Sequence, residues 1–239
     1  MSELSKYFTN AFSHSYKSKT PDEYVFRRGD YRFSVLSSRI IRVEKDEKRI
    51  FTDEATQTVI CRDFDRPQFG FSQDNNKIVI KTDDIIFRFD LSKGKTESIT
   101  LNDSRCVTNF KAGNLKGTYR TLDMINGSVR LGDGLMSTNG VSVVDDSKTV
   151  IVSTDGTLKE RRHIQKDEYY FAFGNDFRGC LKDFFKLCGS VPLVPRYCLG
   201  NWWSRYKDYS QQEYIDLMKK FLERDIPISV ATIDMDWHW

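Results

Sequence analysis

No run of apolar residues approaches the roughly 18 that a membrane-spanning helix needs. The N-terminal stretch MSELSKYFTNAFSHSYKSKT also lacks the apolar centre of a secretory signal. Charge of one sign is scarce: 37 Lys and Arg stand against 34 Asp and Glu, a net charge of +3 spread along the chain. That balance argues against a nucleic-acid surface or a polybasic membrane anchor. The cysteines Cys61, Cys106, Cys180, Cys188 and Cys198 are odd in number and form no C-x-x-C pair. They argue against a disulfide framework or a zinc knuckle and suit a reducing, cytoplasmic setting. With three histidines, no Ser–His–Asp or Cys–His constellation can be assembled by position, and His163 reads as a solvated strand residue. N-x-S sequons at Asn102 and Asn126 carry no weight without a signal peptide.

What is present suffices for a substantial core. A chain of 239 residues with 39% hydrophobic and 13% aromatic content excludes wholesale disorder. It has room for one large domain, or for one domain and a piece of another. Through about residue 170 the pattern alternates with period two. Strands are expected at 24–26, 31–36, 39–43, 77–81, 85–89, 141–144, 149–152 and 169–173, separated by Gly, Asp, Asn and Ser. Many short strands with polar breaks imply an antiparallel sandwich. Gly132-Asp133-Gly134 lacks the third glycine of a phosphate loop and reads as a tight connection between strands.

The period then changes. Asp176 is placed to cap a helix with apolar positions Phe177, Leu181, Phe184, Phe185 and Cys188, stopped by Gly189. Arg196 to Trp203 reads as a buried strand, with Trp202 and Trp203 as core. Ser210 and Glu213 form a capping box ahead of Tyr214, Leu217, Met218, Phe221 and Leu222, which repeat at helical spacing. Beyond Pro227, the segment Ile228–Ile233 reads as an apolar parallel strand. The expected organisation is a β-sandwich domain over 1–175, a helix and linker over 176–195, and the start of an α/β unit over 196–239. A parallel strand running almost to Trp239, with no helix behind it, reads as a truncated fold.

That second strand is followed by Asp234-Met235-Asp236-Trp237-His238-Trp239. Residues just past the carboxyl end of a parallel strand line ligand sites, and two carboxylates beside indole rings suit a sugar. The same spacing fits Asp234 as a loop cap with the tryptophans as packing groups. Asp234 and Asp236 cannot themselves be a glycosidase acid–base pair, because residues at i and i+2 on a strand share one side. As a D-x-D motif they would hold a divalent metal in a nucleotide-sugar transferase, a rival reading with no nucleotide-binding half before it.

Four ordered segments are specific together. Pro192–Trp202, Ser204-Arg205-Tyr206, Asp225-Ile226-Pro227-Ile228 and Ile233–Trp237 resemble the opening of the catalytic barrel of glycoside hydrolase family 31. That is the α-glucosidase and α-xylosidase family. Upstream, Asn114–Asp123, Asp133–Ser137, Gly140 and Asp145–Ser147 resemble the family's N-terminal β-domain. The resemblance implies a mainly β chain: a sandwich followed by the first strand–helix–strand of a (β/α)8 barrel. It implies the N-terminal part of a retaining α-glycosidase acting on α-linked oligosaccharides or glycosides, without cofactor or metal and with a homo-oligomer left open. The nucleophile and acid/base would lie downstream of Trp239, leaving this chain inactive alone. Asp234 corresponds to a carboxylate that binds non-reacting sugar hydroxyls, Met235 to the adjoining wall and Tyr206 to an aromatic rim; Asp236 and Trp237 complete the motif. A free-standing carbohydrate-binding sandwich is the alternative.

Overall fold

The computed structural model describes residues 16–117, 124–161, 166–191 and 193–235. It divides into two compact units, Met1–Ser190 and Val191–Trp239.

The first unit is antiparallel throughout. One five-stranded sheet has the order β1 (Val25–Arg28), β2 (Tyr31–Ser37), β3 (Ile40–Lys45), β13 (Lys166–Ala172), β10 (Val141–Asp145). The other runs in chain order: β5 (Phe69–Asp74), β6 (Lys77–Thr82), β7 (Ile85–Asp90), β8 (Lys95–Leu101), β9 (Cys106–Val107). A small third sheet joins β4 (Ala55–Thr56), β11 (Ile151–Val152) and β12 (Leu158–Lys159). The two large sheets enclose one core, with Phe33, Val35, Ile41 and Val43 from the first and Ile78, Ile80, Phe87, Phe89 and Ile99 from the second.

The first sheet is buried on both faces, and its two faces differ chemically. Alternate residues of β2, β3 and β13 enter the apolar core. The intervening Arg32, Arg42, Glu44 and Asp167 are also almost wholly buried. Arg32 binds Glu44 through two hydrogen bonds of 2.6 and 2.8 Å and reaches Asp53 at 2.7 Å. Arg161 bridges Asp146 and Asp167 at 3.2 Å each. Farther along this face lies a second apolar cluster of Leu36, Ile40, Tyr169 and Phe171, covered by helix α1 (Phe177–Cys188).

The expected strands are present, with 149–152 shortened to β11. Five were not anticipated: the two-residue β4, β9 and β12 and the longer β5 and β8. In β8 the buried positions include Thr96 and Ser98, and the register shifts opposite Arg88 and Phe89, so the apolar alternation is interrupted. Among the described residues no strand adjoins Gly132-Asp133-Gly134. That segment docks on Asn114, whose carboxamide exchanges two hydrogen bonds with the Gly134 backbone. His163 and residues 118–123 of the upstream motif lie outside the described residues.

Helix α1 starts as expected, the Asp176 carboxylate accepting from the Gly179 N–H at 2.9 Å. Its buried side differs from the expected stripe. Cys180 and Leu187 are buried, with Phe184 and Cys188 packed beside them, while Phe177, Leu181 and Phe185 are 38–40% exposed.

The second unit is a strand–helix–strand. Strands β14 (Trp202–Trp203) and β15 (Val230–Ala231) pair in parallel, Trp202 opposite Val230 and Trp203 opposite Ala231, around helix α2 (Gln211–Glu223). Both halves of the Ser210–Glu213 capping box form. Arg196–Leu199 is a 3-10 turn, not strand, closed by the Gly200 N–H on the Tyr197 carbonyl. Gly200 is required there, since a Cβ would collide with the Ser229 side chain. Trp202 is 53% exposed and Leu222 77%, against the core roles the spacing suggested for them. No helix among the described residues is long and apolar enough to cross a membrane.

Candidate functional site at the carboxyl ends of the parallel strands

The Thr232 N–H donates to the Trp203 carbonyl at 2.9 Å, extending the parallel ladder one residue beyond β15. Positions 230 and 232 therefore register on one side and 231 on the other. Trp203, in register with Ala231, packs its ring 4.9 Å from that of Phe221 on α2. Trp202, Val230 and Thr232 thus register on the side away from the helix, and Asp234 follows two residues past the last ladder bond. It is exposed, and Met235 beside it is half-buried.

Tyr206 lies three residues past β14, in the connection to α2, and is 79% exposed. It and Asp234 therefore share one end of the parallel pair, each just after its own strand. Asp236 and Trp237 lie outside the described residues.

Residues that the spacing did not single out shape this end. The Tyr214 hydroxyl of α2 donates to the Thr232 carbonyl at 2.7 Å, pinning the backbone two residues before Asp234. Burial, with Tyr209 alongside at 5.2 Å between ring centroids, pushes the Tyr214 phenol up. Trp203 Nε1, Tyr209 OH and Thr232 Oγ1 are buried atoms with no hydrogen-bond partner among the described residues. In sequence Tyr214 reads as a helix-face residue and Trp203 as strand core; the tertiary fold brings each against this strand pair.

Elsewhere the buried Glu44, Asp146 and Asp167 are engaged by arginine and the buried Asp90 by lysine. Among the described residues no group of three or more His, Cys, Asp or Glu side chains is placed to hold a metal ion. All five cysteines are free, and burial pushes Cys180 and Cys188 up to about 12, so neither is a ready thiolate.

Residues 191–239 match the glycosyl hydrolases family 31 TIM-barrel domain. The chain carries a glycoside hydrolase family 31 segment. It is 36% identical over 75 residues to an α-xylosidase of Saccharolobus solfataricus, covering 31% of this chain and 10% of that enzyme. It is 33% identical over 70 residues to α-glucosidase 2 of Bacillus thermoamyloliquefaciens, covering 29% of this chain and 9% of that enzyme. The likeness in fold is broader than in sequence. The crystal structure of a family 31 α-xylosidase from a soil metagenome, complexed with xylose, superposes with a TM-score of 0.57 at 12% identity, covering 90% of this chain and 40% of that one. The chain thus spans only a minor part of the length of these relatives, and its mainly β architecture resembles the solved α-xylosidase in fold.

Proposed function

We propose that this chain supplies the N-terminal β-sandwich and the first strand–helix–strand of a retaining (β/α)8 α-glycosidase acting on α-linked glucosides or xylosides. The observation that carries the reading is the placement of Asp234 and Tyr206 after neighbouring parallel strands, at the end where barrel enzymes bind substrate.

In this reading Asp234 accepts hydrogen bonds from hydroxyls of the sugar whose bond is cleaved, Met235 forms the adjoining wall and Tyr206 the rim. Asp236 and Trp237 complete the same sequence motif. An ionised carboxylate orients a sugar ring through charge-assisted bonds without entering the bond-breaking step. Retaining hydrolysis needs two further carboxyl groups about 5 Å apart across the scissile bond, one attacking and one protonating the leaving oxygen. Those belong to later strands of the barrel, so the 239 residues alone bind and orient but do not cleave. Free cysteines suit a cytoplasmic location.

The test is turnover of aryl α-xylosides and α-glucosides by the complete enzyme and by this chain alone. Activity in the complete enzyme only is expected. Comparable turnover by the isolated chain, or none by the complete enzyme on any α-glycoside, would sink the reading.

A further inference from the structure

Asparagine stands directly before glycine twice in the chain, at Asn126-Gly127 and at Asn139-Gly140. Glycine has no Cβ to shield its amide nitrogen, so that nitrogen can reach the carboxamide carbon of the asparagine before it. How readily it does so depends on how firmly the surrounding structure holds both groups. The two pairs are held very differently.

Asn139 is half-buried and Gly140 is buried. The Asn139 Nδ2 donates to the Asn109 and Ala112 carbonyls at 2.9 Å each, and its Oδ1 accepts from the Val141 N–H at 3.0 Å. The Gly140 N–H donates to the Ser137 carbonyl at 3.2 Å. A Cβ on Gly140 would stand 2.5 Å from the Gly174 Cα, so the backbone there has no room to move. Turning this carboxamide onto the Gly140 nitrogen would break four hydrogen bonds.

Asn126 and Gly127 are both exposed. Neither the Asn126 carboxamide nor the Gly127 N–H has a hydrogen-bond partner among the described residues. Gly127 has φ +93°, and beyond its chain neighbours no heavy atom lies within 4 Å of where a Cβ would stand. Both reacting groups therefore face water, with no bond to break before they meet.

We propose that Asn126 is a self-modification site, converting to a mixture of aspartate and isoaspartate while Asn139 stays intact. The Gly127 nitrogen gives its proton to hydroxide and bonds to Asn126 Cγ; the Cγ–Nδ2 bond breaks and Nδ2 leaves as ammonia. Water then opens the cyclic imide. Opening at Cγ gives aspartate, and opening at the main-chain carbonyl gives isoaspartate, with the backbone rerouted through the side chain. The net reaction consumes one water and releases one ammonia, with no oxidation or reduction. Either product adds a carboxylate and lowers the net charge of +3 by one. The proposal does not rest on the glycosidase reading, since both pairs belong to the sandwich unit.

The test is incubation of the 239-residue chain at neutral and mildly alkaline pH, native and in urea, followed by peptide mass spectrometry. Each converted asparagine adds about 1 Da to its peptide. In the native chain Asn126 should convert at a rate that rises with pH. A hydrogen bond that must first open slows the step about fivefold, so four of them place Asn139 more than about 100-fold behind. In urea the two rates should converge, because both pairs are Asn-Gly and only the fold separates them. Asn126→Gln should abolish the fast conversion and, since the side chain is exposed, keep the parental melting temperature. Equal native rates at the two sites, no conversion at Asn126, or a difference that persists unchanged in urea would each overturn the proposal.

Discussion

Arg42 on β3 grips Asp167 on β13 through two parallel hydrogen bonds of 2.8 Å each, across 125 residues of sequence. Both side chains are 1% exposed, and Arg42 also lies 3.0 Å from Glu44. The pair ties together the two central strands of the first sheet on the face away from the sandwich core. Removing one member leaves a buried charge without its two-bond partner, with only the longer contacts of Arg161 or Glu44 remaining. Arg42→Met is expected to cost about 3–5 kcal/mol, while pairing it with Asp167→Leu should recover much of that loss. Urea denaturation of the two single variants and the double variant checks this. Additive losses would mean the ions do not act as a pair.

The same pair sets an acid response. Burial pushes the Asp167 carboxyl up, but the charge and hydrogen bonds of Arg42, with Arg62 and Arg161, outweigh it and hold it at about 2. An unfolded Asp titrates near ~3.9. Its contribution to stability is therefore complete above about pH 4 and is lost as pH falls toward 2, on the order of 2 kcal/mol. Burial raises Glu44 and Asp146, which act in the opposite sense, so a comparison with Asp167→Asn isolates the effect. The difference in stability between parent and variant should shrink from pH 4 to pH 2. A constant difference would contradict the assignment.

Local stability should be lowest in the strand–helix–strand unit. None of its described residues is buried, and α2 keeps Leu222 and Ile215 largely exposed. Amides of 211–223 are expected to exchange earlier than those of β3 and β13. Ser210→Ala should quicken them further, since its hydroxyl caps the Glu213 N–H and a lost cap costs about 1 kcal/mol. Protection in α2 equal to that of the sandwich would refute this.

Asp234 offers the sharpest functional test, in the complete enzyme. Asp234→Asn keeps the shape and removes the charge. Loss of two charge-assisted contacts at about 1.5 kcal/mol each corresponds to a fall of about 10²-fold in kcat/KM. The melting temperature should not move, because the carboxylate is exposed. Near-parental kcat/KM would mean that Asp234 is only a loop residue.

Signals that act over a few residues were readable directly. The Asp176 cap, the Ser210–Glu213 box and the alternation of β2 and β3 each depend on neighbours within one turn or one strand. The ordered segments around Pro195, Tyr206, Pro227 and Asp234 likewise pointed to family 31 without coordinates. Arg32, Arg42, Glu44 and Asp167, by contrast, are the polar members of alternating strands and look like a solvent face. They are buried because β3 pairs with β13 and because the chain around Thr52 and Arg161 folds over them, contacts that no local period encodes. The same holds for Trp202, which an apolar run assigned to a core and the fold leaves half exposed. Periodicity reports which side of a strand a residue takes; whether that side meets water, hydrocarbon or an opposite charge depends on chain segments a hundred residues away.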